Sequence, residues 1–169
     1  MKHYFLKMRG SAKSPTRPAF KQIIWSWFGG LLGIAVIAYL SVLIDKPLVI
    51  PSFGASCVLA FGVSDSPLAQ PRNIIGGHFV STLVGLIFFM TLGSSWWVMA
   101  LAVATAIACM QLTGTVHPPA GADPLIVILS EASWLFLATP VLAGSLILAF
   151  LAIVFNNLSK DRAYPKYWW

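Results

Sequence analysis

The sequence predicts an all-α membrane protein built from two three-segment repeats, inverted relative to each other, each with a broken middle helix. Three observations carry this. The chain is 58% hydrophobic and 9% charged over 169 residues, where soluble domains carry roughly 25% charged residues. Its long apolar runs lack charge, as membrane spans do. A Pro-x-x-Gly-Ala break recurs 67 residues apart, at Pro51-Gly54-Ala55 and Pro118-Gly121-Ala122. No stretch remains for a separate soluble domain, so residues 23–155 form one transmembrane domain between a basic tail (1–22) and a C-terminal tail (156–169).

The elements follow in order. Lys2, Lys7, Arg9, Lys13, Arg17 and Lys21 make the first tail basic, and Pro15 and Pro18 interrupt it. The first span runs from near Ile23 to about Ile44. It is too long for a signal-peptide core and has no small-residue cleavage site. Trp25, Trp27 and Phe28 suit the headgroup level. Asp45-Lys46-Pro47 closes the span, and Leu48–Val63 is a short segment with its own Pro, Gly and Ser break. Asp65–Asn73 is a polar turn. The third segment, about Ile74 to Leu92, carries Gly76, Gly77, Ser81 and Gly85 on a face suited to close helix packing, which invites helix partners and a homo-oligomer. Gly93-Ser94-Ser95 turns the chain, and Trp96 and Trp97 anchor a fourth helix to about Leu112. His117-Pro118-Pro119-Ala120-Gly121-Ala122-Asp123-Pro124 breaks the fifth segment, and a last span ends near Phe155. Gly77 and Gly144 also match at the 67-residue offset, giving repeat 1 at about 23–93 and repeat 2 at about 96–155.

Charge orders the topology. If both interrupted segments cross, there are six passes, and ten of the eleven Lys and Arg residues share one side with both tails. If both are re-entrant, there are four spans, the repeats are parallel, and nine do. The positive-inside rule and the recurrence of inverted repeats with broken helices among transporters favour six passes, with both termini cytoplasmic in a bacterial plasma membrane. The basic flanks point to this orientation and to anionic lipid, not to nucleic acid.

Irregular backbone at membrane depth is tolerated where protein buries it or where it lines a cavity. In the crossing arrangement, about seven extended residues lead each broken segment to mid-depth. Ser52, Phe53, Gly54, Ala55 and Ser56 would then face Ala120, Gly121, Ala122 and Asp123 across two opposed half-helix N-termini. Unpaired amides and helix dipoles there make a site for a small inorganic anion. His117 and His78 are the titratable neighbours, as gate or hydrogen-bond donor. Asp123 would repel an anion, so it caps amides, is protonated, or pairs with His117, His78 or Arg72. Its place before Pro124 favours capping. Gln70, Arg72 and Asn73 sit where a cytoplasmic entrance would be. Cys57 and Cys109 read as packing residues, and no spacing suggests a metal, cofactor or enzyme site.

The segments P-S-F-G-A-S (51–56), S-P-L-A-Q-P-R-N-I-I-G-G-H (66–78), H-P-P-A-G-A-D (117–123) and N-N-L (156–158) resemble the HPP family of integral membrane proteins over about residues 25–158. The resemblance implies a transmembrane protein, usually described with four helices. Cyanobacterial and chloroplast members are associated with nitrite transport, which implies nitrite or a similar anion as cargo. The alternatives are a channel for a neutral small solute (ammonia or a protonated weak acid) and a non-transporting membrane scaffold or sensor.

Overall fold

The computed structural model describes residues 2–10 and 12–168. Met1, Ser11 and Trp169, which belong to the two predicted tails, lie outside the described residues. Among the described residues the chain is helical, with no strand. A short exposed helix, α1 (Lys2–Lys7), precedes the bundle. The long helix α2 (Phe20–Leu43) has no proline to break it. Asp45 stops it by adopting a left-handed φ of 51°, and the Lys46 amide donates back to the Ser41 carbonyl.

The first interrupted segment departs from expectation in one respect. Its helix α3 (Pro51–Cys57) already begins at Pro51 and continues as a π-helical turn over Val58–Gly62. Proline at the first helical position has the right φ and lacks only an amide that would have no partner there. The extended approach is therefore short, ending at Ile50, rather than about seven residues long. The Leu48 amide donates to Ser41 Oγ, and Ser26 Oγ donates to the Phe61 carbonyl. The segment thus runs antiparallel to α2 from the level of Ser41 to that of Ser26, roughly 22 Å of helix. It passes through the bundle and does not turn back to the face it left.

Helix α4 (Pro71–Leu92) turns at Gly93, φ 81°, into α5 (Trp96–Leu112). The second interrupted segment also becomes helical at its proline. It forms a 3-10 turn over Pro118–Ala122 and then α6 (Asp123–Leu129). It lies along α4 in the same direction: a Cβ on Gly76 would meet Thr115, on Gly77 His117, and on Gly85 Pro124. The small-residue face of α4 is therefore filled from within the chain and is not left for a partner helix. A π-helical turn (Leu137–Leu142) leads into α7 (Ala143–Asn157), which runs beside the first interrupted segment in the same direction. Gly144 packs on Phe53 and the Leu48 carbonyl, and Asn156 Nδ2 donates to the Ala60 carbonyl.

Among the described residues, three helical stretches are long and apolar enough to cross a membrane: Phe20–Leu43, Pro71–Leu92 and Leu137–Asn157. Pro51–Gly62, Trp96–Leu112 and Pro118–Leu129 are shorter apolar helices between them. The main apolar core gathers Ile37, Ile50, Phe53, Phe61 and Leu148. Gly29 and Gly33 let the Phe61 ring approach α2, where a Cβ on Gly29 would lie 2.6 Å from it.

The C-terminal tail is not loose. Tyr164 is buried, and its hydroxyl donates to the Ala69 carbonyl. Tyr167 donates its hydroxyl hydrogen to the Pro67 carbonyl or to Asn73 Oδ1, and the Lys166 amide donates to Gln70 Oε1. Arg162 donates to the Phe61 carbonyl and to Asn156 Oδ1. Asn157 Nδ2 holds the Tyr164 carbonyl. The tail thus straps the polar turn between the first interrupted segment and α4.

Candidate functional site

The two interrupted segments cross side by side and antiparallel, with their first turns overlapping. Ser52 pairs with Asp123, and Ser56 with His117. The crossing packs against the middle of α4, which adds His78 and Thr82. His78, His117, Asp123, Ser56 and Thr82 are fully buried, and Ser52 nearly so.

Each polar atom in this cluster has a partner. Asp123 Oδ1 accepts from Ser52 Oγ at 2.7 Å, and Oδ2 lies 2.6 Å from His78 Nδ1 and 3.3 Å from Thr82 Oγ1. His78 Nε2 and His117 Nε2 each lie 2.8 Å from Ser56 Oγ. His117 Nδ1 donates to the Leu68 carbonyl at 2.8 Å. The result is a continuous chain of hydrogen bonds, Asp123–His78–Ser56–His117–Leu68. The Phe53 ring stands edge-on to His78 with centroids 5.1 Å apart, shielding the imidazole from one side. Ser81 Oγ donates to the Ala120 carbonyl, fixing the 3-10 turn on α4. Gly77 lets His117 in: a Cβ there would sit 2.6 Å from His117 Cβ.

Asp123 does not cap its helix. The residue ahead of α6 is Ala122, no side chain caps there, and the Asp123 carboxylate turns inward to His78 and Ser52. A buried carboxylate needs a charged or hydrogen-bonding partner more than two helix amides do. The helix starts also offer few bare amides. Pro51, Pro118 and Pro119 have none, the Phe53 amide bonds the Ile50 carbonyl, and the Ala120 amide bonds the His117 carbonyl. Gly54 and Ala55 are exposed, Gly121 and Ala122 half-buried, and a Cβ on either glycine would meet nothing. These four residues therefore face outward, while Ser52, Phe53, Ser56, His117, Ala120 and Asp123 face inward.

The residues expected at an entrance hold the turns together. Gln70 Nε2 donates to the Ser64 and Ser66 carbonyls, Asn73 Nδ2 to that of Val116, and Arg72 Nη2 to that of Thr113. Both cysteines are free thiols, and no group of His, Cys, Asp and Glu among the described residues is arranged to hold a metal ion. Sequence reasoning missed Thr82, the Leu68 carbonyl and the tail strap. Thr82 lies one helical turn beyond His78 on the same face, a spacing that would have flagged it.

The transmembrane-region profile of the HPP family matches residues 15–165. The chain belongs to the HPP family. Two transmembrane proteins of Dictyostelium discoideum are each 42% identical to it, with 98% of this chain aligned to 57% and 63% of their lengths. The chain thus spans about three fifths of the length of those relatives. No solved structure matches it. As an HPP-family chain with apolar helices, it is an integral membrane protein, and its architecture is consistent with membrane transport in general.

Proposed function

We propose that this HPP chain transports a small monovalent anion, nitrite first among candidates, and has no catalytic activity. The observation that carries this is the buried Ser52–Ser56–His78–His117–Asp123 cluster where the two interrupted segments cross. Burying so many polar groups in a membrane bundle is costly, and such clusters mark substrate or ion pathways. The mechanism differs from a cradle of bare amides. His78 Nδ1 holds the Asp123 carboxylate by a hydrogen bond, and His117, when protonated, supplies the positive charge an anion needs. The path from the level of Ser41 to that of Ser26 supports six passes. With the basic flanks, it supports cytoplasmic termini in a plasma membrane. Copies would associate through outward faces of the bundle, since the α4 glycines are already used.

The test is nitrite uptake into proteoliposomes. Uptake above that of empty liposomes, lost in His117→Ala, is the expected result. Uptake no faster than in empty liposomes, or unaffected by that substitution, overturns the reading. The Asp123 carboxylate favours a second reading, in which the cargo is neutral, such as ammonia or a protonated weak acid. Ammonium-driven pH change without nitrite uptake would select it.

A further inference from the structure

The hydrogen positions in the cluster follow from its partners. The Leu68 carbonyl can only accept, so His117 Nδ1 carries a hydrogen. Both Nε2 atoms then meet the single Ser56 hydroxyl at 2.8 Å. That hydroxyl has one hydrogen to give and lone pairs to accept with. If neither Nε2 carried a hydrogen, Ser56 could satisfy only one, and a fully buried ring nitrogen would be left unmatched. One hydrogen on one Nε2 satisfies both. The Ser56 hydroxyl also lies 3.2 Å from the Ser52 carbonyl, a longer contact than the 2.8 Å to each ring nitrogen. At the two short contacts, either His78 Nε2–H donates to Ser56 and Ser56 donates to His117 Nε2, or His117 Nε2–H donates to Ser56 and Ser56 donates to His78 Nε2, with the Leu68 bond unchanged in both.

We propose that Ser56 relays a proton between His78 and His117, and that this proton travels with the anion. In the forward step the His78 Nε2–H bond breaks as a new O–H bond forms on Ser56. The original Ser56 O–H bond breaks as an Nε2–H bond forms on His117. The hydroxyl ends as it began. His117 gains the positive charge, and His78 keeps one hydrogen at Nδ1, donated to the Asp123 carboxylate. The source and sink of the proton is solvent. Gly77 packs on His117 and Thr82 on Asp123, so the hydrogen-bonded chain that contains the relay spans about five residues of α4, roughly 7 Å along the helix axis.

The surroundings are arranged for this one exchange. Asp123, on α6, is bonded to His78. Toward the cluster α3 offers the hydroxyls Ser52 and Ser56, and α4 offers Ser81 and Thr82. Arg72, at the start of α4, is bonded to the Thr113 carbonyl. Below the Leu68 turn lie the Tyr164 and Tyr167 hydroxyls, on the Ala69 and Pro67 carbonyls. Helix α7 carries no titratable side chain.

The coupling to cargo rests on the transport reading, whereas the shared hydrogen does not. Two measurements on the full chain in liposomes therefore separate them. Ring-nitrogen NMR of the labelled histidines near neutral pH should show one hydrogen divided between the two Nε2 atoms. Two unprotonated or two fully protonated Nε2 atoms overturn the relay. With sodium nitrite as probe and a trapped pH dye, Ser56→Ala should lower nitrite-driven proton uptake by about tenfold, and Ser56→Thr should keep most of it. A melting temperature within a few degrees of wild type shows that Ser56→Ala still folds. Proton uptake unchanged in Ser56→Ala, or wild-type nitrite uptake with no accompanying proton, overturns the relay and leaves transport standing. No nitrite uptake in wild type overturns transport, and the nitrogen spectrum alone then decides the shared hydrogen.

Discussion

The two interrupted segments share a backbone plan and differ in chemistry. At the 67-residue offset, His117 falls on Ile50, Asp123 on Ser56, His78 on Ser145 and Thr82 on Ala149. Contacts follow the same offset. A Cβ on Gly77 would meet the Thr115 carbonyl at 2.9 Å, and one on Gly144 would meet the Leu48 carbonyl at 3.1 Å. In each case the third helix of one half holds the broken segment of the other. Yet one crossing carries two imidazoles and a carboxylate, while the equivalent positions carry Ile50, buried in the apolar core, Ala149, and Ser145, which bonds the Leu142 carbonyl of its own turn. The difference shows a division of labour. One half of the crossing supplies packing and the Ser52 and Ser56 hydroxyls, none of which titrates, and the other hangs the imidazoles and the carboxylate on the same frame.

The sharpest break in this comparison removes one member of the buried pair. His78 and Asp123 meet at 2.6 Å with both side chains fully buried. His78→Leu removes the imidazole bonded to Asp123 Oδ2, leaves a fully buried carboxylate short of a partner, and should cost about 3–5 kcal/mol, read as a large fall in melting temperature in detergent. The matched change in the other half, Ser145→Ala, removes only a hydroxyl bonded within its own turn and should cost about 1 kcal/mol or less. Equal losses would mean that the polar half is no more demanding than the apolar one.

The paired glycines come next. A Cβ on Gly144 would lie 2.2 Å from the Phe53 ring, and one on Gly77 2.6 Å from His117 Cβ. Both Ala substitutions force a shift, and each should cost about 1–3 kcal/mol. Only Gly77→Ala displaces a titratable group, so it alone should change the pH profile of nitrite uptake. A pH profile altered equally by Gly144→Ala would break the division.

Much of this frame is legible in the sequence, and the reasons are physical. Prolines and glycines punctuate a membrane chain strongly, so Pro51 and Pro118 mark the two breaks and the Trp pairs mark helix starts. What fails is the length of the extended approach. In sequence a proline reads as a breaker, although at the first helical position it is a starter, and both segments are helical from it. The site residues are legible as types, but their directions are not. Gly54 and Gly121 face outward because Ser52 and Ser56 on one side, and His117 and Asp123 on the other, claim the inward face. The glycines on α4 read equally well as a partner surface or an internal seam, because the same small residues serve both. The strap is invisible to hydropathy, since Tyr164 and Tyr167 dock through backbone carbonyls that any sequence has.

The outward glycines offer a smaller test. Both lie in helical turns with open space beyond Cα, so Gly54→Ala and Gly121→Ala should stabilise by up to about 1 kcal/mol. Nitrite uptake should stay at the wild-type rate in both, because the inward cluster is untouched. A loss in either would move the permeation path from the buried crossing to the outer face.

The least effect is expected where the two ends of the chain meet. Lys21 Nζ and Asp161 Oδ2 pair at 2.8 Å on the surface, and this bond holds the Asp161 carboxyl below the usual carboxylate range. A depressed folded-state value means that the contribution is present at neutral pH and is lost as pH falls through that value. Both side chains are largely in water, so screening leaves the pair little to contribute. Lys21→Met should therefore leave the melting temperature at pH 7 unchanged within error. Tyr164→Phe, which removes the buried hydroxyl bond to the Ala69 carbonyl, should lower it measurably. Holding the tail is then the work of the buried strap. If instead Lys21→Met loosens the tail and Tyr164→Phe does not, the surface pair anchors it, and the turn that carries the Leu68 carbonyl is fixed from outside.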